Sequence, residues 1–241
     1  MEYPKINSLW KREGWYFNEK DKLGIQRSGR QSLIPGDYAD PAFAAIKRWR
    51  VDEKIDGTNI RIFFNQTEDG VDDRVIFGGR TDAAQLPTHL LVFLQRTFTV
   101  EKMLEAFPYE EAGPQVILFG EGYGPKIQSG SYYRSDASFI LFDIWVGGWW
   151  LKREDVKDIA KKLGILTVPE IGIMTEDEIV SFVKSKPVSR IACEPHMMEG
   201  VVCRSEPLLL LRNGKPVMFK LKCKEFPNEA KEAQEAIAEA A

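Results

Sequence analysis

From Arg50 onward, apolar and polar positions alternate in the manner of β-strands. Val51 to Lys54 reads as a strand, a glycine turn follows at Gly57, and Ile60-Arg61-Ile62-Phe63-Phe64 reads as the next. Arg74 to Phe77 is a further strand ending at Gly78-Gly79, and Gln115–Gly120 and Ser138–Trp145 continue the series. Helical periodicity appears over residues 85–107, with Pro87 tolerated in the first turn. It recurs from Lys152 to Leu163, where Gly164 stops it. Thr175 and Glu178 have capping-box spacing, which predicts a short helix over residues 176–185. Leu208–Leu211, Asn213-Gly214 and Val217–Lys222 read as a hairpin closed by a tight turn. Residues 1–50 are mixed polar and aromatic, with turn signals at Ser28-Gly29 and Pro35-Gly36. The pattern predicts an α+β fold, mainly antiparallel sheets with flanking helices.

Composition narrows this picture. Of 241 residues, 44% are hydrophobic and 29% charged, which excludes a disordered chain and suits one large domain or a domain with a small appendage. No apolar run approaches a membrane span. Met1-Glu2-Tyr3-Pro4-Lys5 lacks the apolar core of a secretory signal, so a cytoplasmic protein with no membrane partner is expected. Cys193, Cys203 and Cys223 form no CxxC pair and read as reduced thiols. With only His89 and His196, a site built on several imidazoles is excluded. The net charge of −3 argues against a surface coated for indiscriminate nucleic-acid binding, yet leaves a local basic groove open.

The sharpest chemistry lies in Lys54-Ile55-Asp56-Gly57-Thr58-Asn59. A lysine at a strand end, followed by an acid, a glycine turn and an amide, suits a nucleophile site. An amine attacks phosphorus only when neutral, so neighbouring cations, a metal or desolvation must favour loss of its proton. Gly57 permits a close approach of backbone to ligand; Asp56 suits a metal or ribose, and Asn59 a hydroxyl. Taken alone, these residues also fit an exposed strand–turn, and Phe119-Gly120-Glu121-Gly122-Tyr123-Gly124 also fits a flexible loop. Phe142-Asp143 sets an aromatic face beside a carboxylate, as one slab of a purine pocket requires. Trp145, Trp149 and Trp150 read as core or packing surface. Glu199-Gly200-Val201-Val202-Cys203-Arg204 is a carboxylate, a glycine step and a strand. In Phe219-Lys220-Leu221-Lys222-Cys223, alternation puts Lys220 and Lys222 on one face, where an anion would relieve their repulsion. A solvated edge strand fits the same pattern.

In order, the segments KIDGTN, FGEGYG, FDIW, EGVVCR and FKLK resemble the nucleotidyltransferase motifs shared by ligases and RNA-capping enzymes. They are most similar to the nick-sealing RNA ligases of phages and the RNA-editing ligases of trypanosomes. The resemblance covers roughly residues 50–226, and Pro4-Lys5-Ile6 with Leu9-Trp10-Lys11-Arg12 also looks like the start of such ligases. It implies a nucleotidyltransferase (adenylation) domain over 1–227, with 228–241 as a helical tail or linker stub and no full C-terminal domain. It further implies Lys54 as the covalent lysyl–AMP. Glu53, Asn59, Arg80, Glu121, Phe142, Val201, Lys220 and Lys222 would contact ATP or AMP, with Val201 or Val202 as the second adenine slab. Glu199 and Asp56 would serve the metal, Mg²⁺ or Mn²⁺, and Arg204 and Asp143 are phosphate or RNA contacts. One departure is Asp56, which stands where several RNA-editing ligases have histidine and DNA ligases have aspartate.

The implied activity is ATP-dependent ligation of RNA carrying 5′-phosphate and 3′-hydroxyl ends, duplex or nicked. The alternatives are a DNA nick ligase, a GTP-using capping enzyme, an isolated adenylyltransferase module needing a partner, and a catalytically silent end-binding module. The intact Lys54 argues against the last, because a binding module needs no nucleophile. Oligomeric state has no signature in the sequence.

Overall fold

The computed structural model describes residues 1–12 and 32–226. The expected turn at Ser28-Gly29 and the tail from Asn228 lie outside the described residues. The strands are β1 (Asn7–Ser8), β2 (Trp10–Arg12), β3 (Leu33–Tyr38), β4 (Trp49–Lys54), β5 (Thr58–Asn65), β6 (Arg74–Gly78), β7 (Gln115–Tyr123), β8 (Ser138–Val146), β9 (Trp149–Trp150), β10 (Leu166–Thr167), β11 (Glu170–Met174), β12 (Gly200–Ser205) and β13 (Met218–Lys222). The helices are α1 (Thr88–Thr97), α2 (Val100–Ala106), α3 (Tyr109–Ala112), α4 (Arg153–Leu163) and α5 (Glu176–Lys184). These fall into two compact units. One comprises Met1–Lys5, Asp52–Ile171 and Val188–Glu199; the other the described residues of Ile6–Val51, Gly172–Pro187 and Gly200–Ala241.

The first unit is built on a sheet ordered β10-β8-β7-β5-β6, with β9 folded back on β8. All its ladders are antiparallel except the short β10–β8 pair. Along β5, Ile60, Ile62 and Phe64 point to one face and are fully buried. There they meet Leu90 and Leu94 of α1, Met103 of α2, and Val156, Ile159, Ala160 and Leu163 of α4. The spacing of the four α4 residues is one helical stripe, and Gly164 ends the helix in the left-handed region at φ +70°. The expected 85–107 helix is two helices. Phe98 breaks the run, and the Thr99 side chain caps α2 by accepting from the Lys102 amide.

One ladder defect shapes the opposite face. Phe119 pairs with Asp143 but Gly120 pairs with Leu141, so Phe142 is the extra residue of a β-bulge. Face parity changes there. Phe139 and Leu141 belong to the helix-covered core before the bulge, and Ile144 after it. Consecutive residues Phe142 and Asp143 consequently both meet Tyr3.

The second unit carries a sheet ordered β1-β13-β12-β4-β11 and the separate β2–β3 pair. Its core includes Phe43, Trp49 and Phe219, with Trp49 edge to face against both phenylalanines and the two phenylalanines tilted. The Thr175–Glu178 capping box forms and starts α5. Two expectations change here. Pro35-Gly36 lies inside β3, where the register with β2 is irregular and Gly36 takes φ +84°. The Asn213-Gly214 turn forms, but Leu208–Leu211 makes only a bridge from Leu210 to Pro216. β13 instead pairs with β12 and, in parallel, with β1. The hairpin ladder goes no further because the Leu209 amide donates to Ser205 Oγ and the Val217 carbonyl accepts from the Ser205 amide.

Candidate active site

Lys54 ends β4 half-buried, and its Nζ lies 2.5 Å from Glu199 Oε2. The turn that follows is tightly built. The Asp56 amide donates to the Tyr133 hydroxyl at 3.0 Å. A Cβ on Gly57 would sit 2.3 Å from the Gly122 carbonyl oxygen and 2.8 Å from Glu121 Cγ, so only glycine lets this turn lie against β7. Register then sets Asn59 of β5 opposite Glu121 of β7. Among the described residues, buried Asn59 Oδ1 has no hydrogen-bond partner, which leaves it able to accept one.

Glu53, expected among the nucleotide contacts, is almost fully buried. Its carboxylate accepts from Ser189 Oγ at 2.5 Å and from the Arg190 amide at 2.9 Å. Burial pushes this carboxyl above its ordinary range, and the Ser189 hydroxyl, the Arg190 amide and the Arg190 charge pull it back. The segment Val188–Glu199 is thus fixed to the lysine strand twice, through Glu53 and through Glu199. A Val188–Met197 bridge and the Ser189 amide donating to the His196 carbonyl brace it.

Phe142 is half-buried on the face of the sheet away from the helices, beside the cluster of Ile55, Tyr123, Tyr133, Ile140 and Val168. Tyr3 packs edge-on against it at 4.9 Å and donates its hydroxyl to Asp143. Trp150 packs on Phe119 and Tyr3, while Trp149 is 74% exposed. Arg80 is exposed, in a segment held by Arg61 from the middle of β5. Arg61 is buried and donates to the Gly79 carbonyl at 2.6 Å and to Asp82 at 2.8 Å. Tyr3, Arg61, Tyr133, Ser189 and Arg190 escaped the sequence reading. Only Tyr3 had a signal, its adjacency to the ligase-like N-terminal segment.

In the second unit, Val202 of β12 faces Lys220 of β13, and Val201 faces Leu221. Val201 and Leu221 are fully buried, whereas Val202, Lys220 and Lys222 are half-buried. Val202, and not Val201, therefore shares the face of Lys220 and Lys222. Gly200 permits this pairing, because a Cβ there would lie 2.0 Å from the Leu221 carbonyl oxygen. Arg204 is buried within β12. Among the described residues, Cys193 is exposed, Cys203 and Cys223 are buried, and all three are free thiols.

Antiparallel sheets with flanking helices, and a lysine on a strand end beside a carboxylate, are the arrangement expected of a nucleotidyltransferase fold. Structures of Naegleria gruberi RNA ligase share this fold. A variant with ATP and Mn gives a TM-score of 0.52 at 18% identity, covering 73% of this chain and 49% of that one. A complex with PPi gives 0.51 at 18% identity and the same coverages. A further variant with AMP and Mn gives 0.50 at 18% identity, again covering 73% and 49%. The chain spans about half the length of these structures. Comparison with curated proteins gives no match. The RNA ligase family model matches residues 47–222, and the chain belongs to that family. Among the described residues no helix is long and apolar enough to cross a membrane.

Proposed function

We propose that this chain is an ATP-dependent RNA ligase that works through a covalent AMP on Lys54. The observation that carries the reading is Lys54 held at a strand end, 2.5 Å from Glu199, within a family-matched stretch. Neighbours in complex with ATP, AMP and PPi support the same chemistry. Lys54 Nζ attacks the α-phosphorus of ATP, a phosphoramidate bond forms, and pyrophosphate leaves. An RNA 5′-phosphate oxygen then displaces Nζ from that phosphorus, giving a 5′–5′ pyrophosphate-linked AMP. Finally a 3′-hydroxyl attacks the RNA 5′-phosphorus, joins the strands and expels AMP, its proton passing to solvent.

Each displacement spreads negative charge over non-bridging oxygens, so fixed positive charge near them lowers the barrier. Lys220 and Lys222 are the cations proposed for the phosphates. Phe142 and Val202 stack the adenine, Asn59 and Glu121 hold the ribose, and Arg80 reads the RNA 5′-phosphate, with Arg204 and Asp143 as supporting groups. The ion pair with Glu199 is made by an ammonium, whereas attack needs the neutral amine. Glu199 must therefore exchange this contact when nucleotide binds.

Asp56 and Glu199 are hard oxygen donors, and among the described residues no cluster of three or more metal-ligating side chains is present. That donor set suits Mg²⁺ or Mn²⁺ arriving with the nucleotide, since such ions keep waters and substrate phosphates and take one or two protein carboxylates. When bound, the metal would supply charge neutralisation at the phosphates. The proposed partner is RNA with 5′-phosphate and 3′-hydroxyl ends, duplex or nicked, and a cytoplasmic setting fits the three free thiols.

The test is the intact mass of the protein after ATP, with peptide mapping. An AMP adduct on Lys54, lost in Lys54→Ala, supports the reading; normal labelling of Lys54→Ala would overturn it. Nicked RNA, DNA and hybrid duplexes then separate RNA sealing from DNA sealing.

A further inference from the structure

The Val188–Glu199 segment delivers a second aromatic feature that the chemistry above does not use. The His196 ring lies parallel to Tyr132, with centroids 3.5 Å apart and planes at 21°. Tyr132 sits half-buried in the short turn Gly130–Tyr132, backed by the cluster that also borders Phe142. Its carbonyl accepts from the Cys193 amide at 3.0 Å, and the His196 carbonyl accepts from Ser189, so both rings have fixed backbones. His196 itself is exposed. The pair therefore presents an imidazole whose one face is backed by Tyr132, on the same segment that ends at Glu199.

The electrostatic setting selects the ligand. Tyr132 is held above the ordinary tyrosine range, first by burial and then by the negative charges of Asp56, Glu199 and Glu53. Three carboxylates near this pair disfavour a phosphate and tolerate a neutral π-face. Aromatic platforms of this kind receive unstacked bases of single strands and ends.

We infer that the Tyr132–His196 stack is a platform for a nucleobase near the RNA end that receives AMP, a subsite separate from the adenine slab at Phe142. This rests on the reading of the chain as an RNA ligase.

The experiment uses the full chain and fluorescein-labelled, 5′-phosphorylated RNA, single-stranded and nicked, read by anisotropy beside self-labelling with ATP. His196→Ala is expected to weaken RNA binding by about 5- to 150-fold, the range of one lost base stack. His196→Phe and His196→Trp should restore it, and self-labelling of His196→Ala should match wild type. An abasic site moved through the nucleotides near the 5′ end should reproduce the loss at one position. At that position the abasic RNA should cost His196→Ala nothing more.

Wild-type RNA affinity in His196→Ala would overturn the inference, as would losses that add at every abasic position. A parallel loss of ATP labelling would also overturn it, and would assign the stack to ATP binding or to holding the segment. A wild-type protein that neither takes AMP on Lys54 nor binds RNA would instead bring down the ligase reading, and this inference with it.

Discussion

Ser189→Ala tests how the segment before Glu199 holds the lysine strand. The Ser189 hydroxyl donates to Glu53 at 2.5 Å, and both residues are buried. A hydrogen bond to an ionised group contributes about 1.5–3 kcal/mol, against about 0.5–1.5 kcal/mol when both partners are neutral. Glu53 titrates above the ordinary glutamate value of 4.5 because it is buried. A folded-state carboxyl that holds its proton longer than the unfolded one loses stability as pH rises from that value to its own folded value, and then levels off. Loss of the Ser189 donor raises the folded value further, so the variant keeps losing stability where wild type has levelled. The cost should be small near pH ~4.5 and reach about 1.5–3 kcal/mol near pH ~7.5. Urea unfolding at both pH values, with unchanged slope, measures it as a shift in midpoint. Self-adenylylation should slow as well, because Glu53 adjoins Lys54. An equal cost at both pH values, or none at neutral pH, would refute the reasoning.

Other outcomes follow from the same geometry. Glu199→Gln keeps the side-chain shape but removes its charge, and should slow lysyl–AMP formation on the order of a hundredfold while raising the Mg²⁺ requirement; labelling across a Mg²⁺ titration reads both. Tyr3→Phe removes one donor to buried Asp143, worth about 1.5–3 kcal/mol, and loosens the packing beside Phe142. It should raise the KM for ATP in self-labelling more than it lowers kcat; a stability loss with unchanged KM would count against the link to the adenine site.

Local signals made much of this fold legible. The alternation of Ile60, Ile62 and Phe64, the α4 stripe with its glycine stop, and the Thr175–Glu178 box each act within a few residues, and each forms. The Lys220 and Lys222 face follows from alternation alone. What escaped depends on distant partners. The hairpin turn at Asn213-Gly214 forms, yet β13 takes β12 and β1 as neighbours, a choice settled by packing far along the chain. Glu53 is expected among the nucleotide contacts, and nothing nearby in sequence announces Ser189 and Arg190, whose hydroxyl and amide donate to it. The break at Phe98 was hidden because Thr99 caps α2 without the glutamate that would complete a box. Alternation also fails at Phe142-Asp143, where period two assigns neighbours to opposite faces.

That last exception bears on how the chain tolerates change in length. Removing Phe142 would bring the two halves of the β7–β8 ladder into one continuous register, because the bulge exists only to accommodate that residue. The strand would gain regularity, and Asp143 and everything after it would keep their partners. The protein would lose the Phe142 carbonyl that accepts from Arg153 at 3.4 Å and the ring proposed for a purine. Insertions and deletions are usually sought in loops, but here a single-residue gap in mid-strand is structurally easy and, under the proposed role of Phe142, functionally severe. A relative carrying that gap would fold on the same plan, without the ring proposed to stack on adenine.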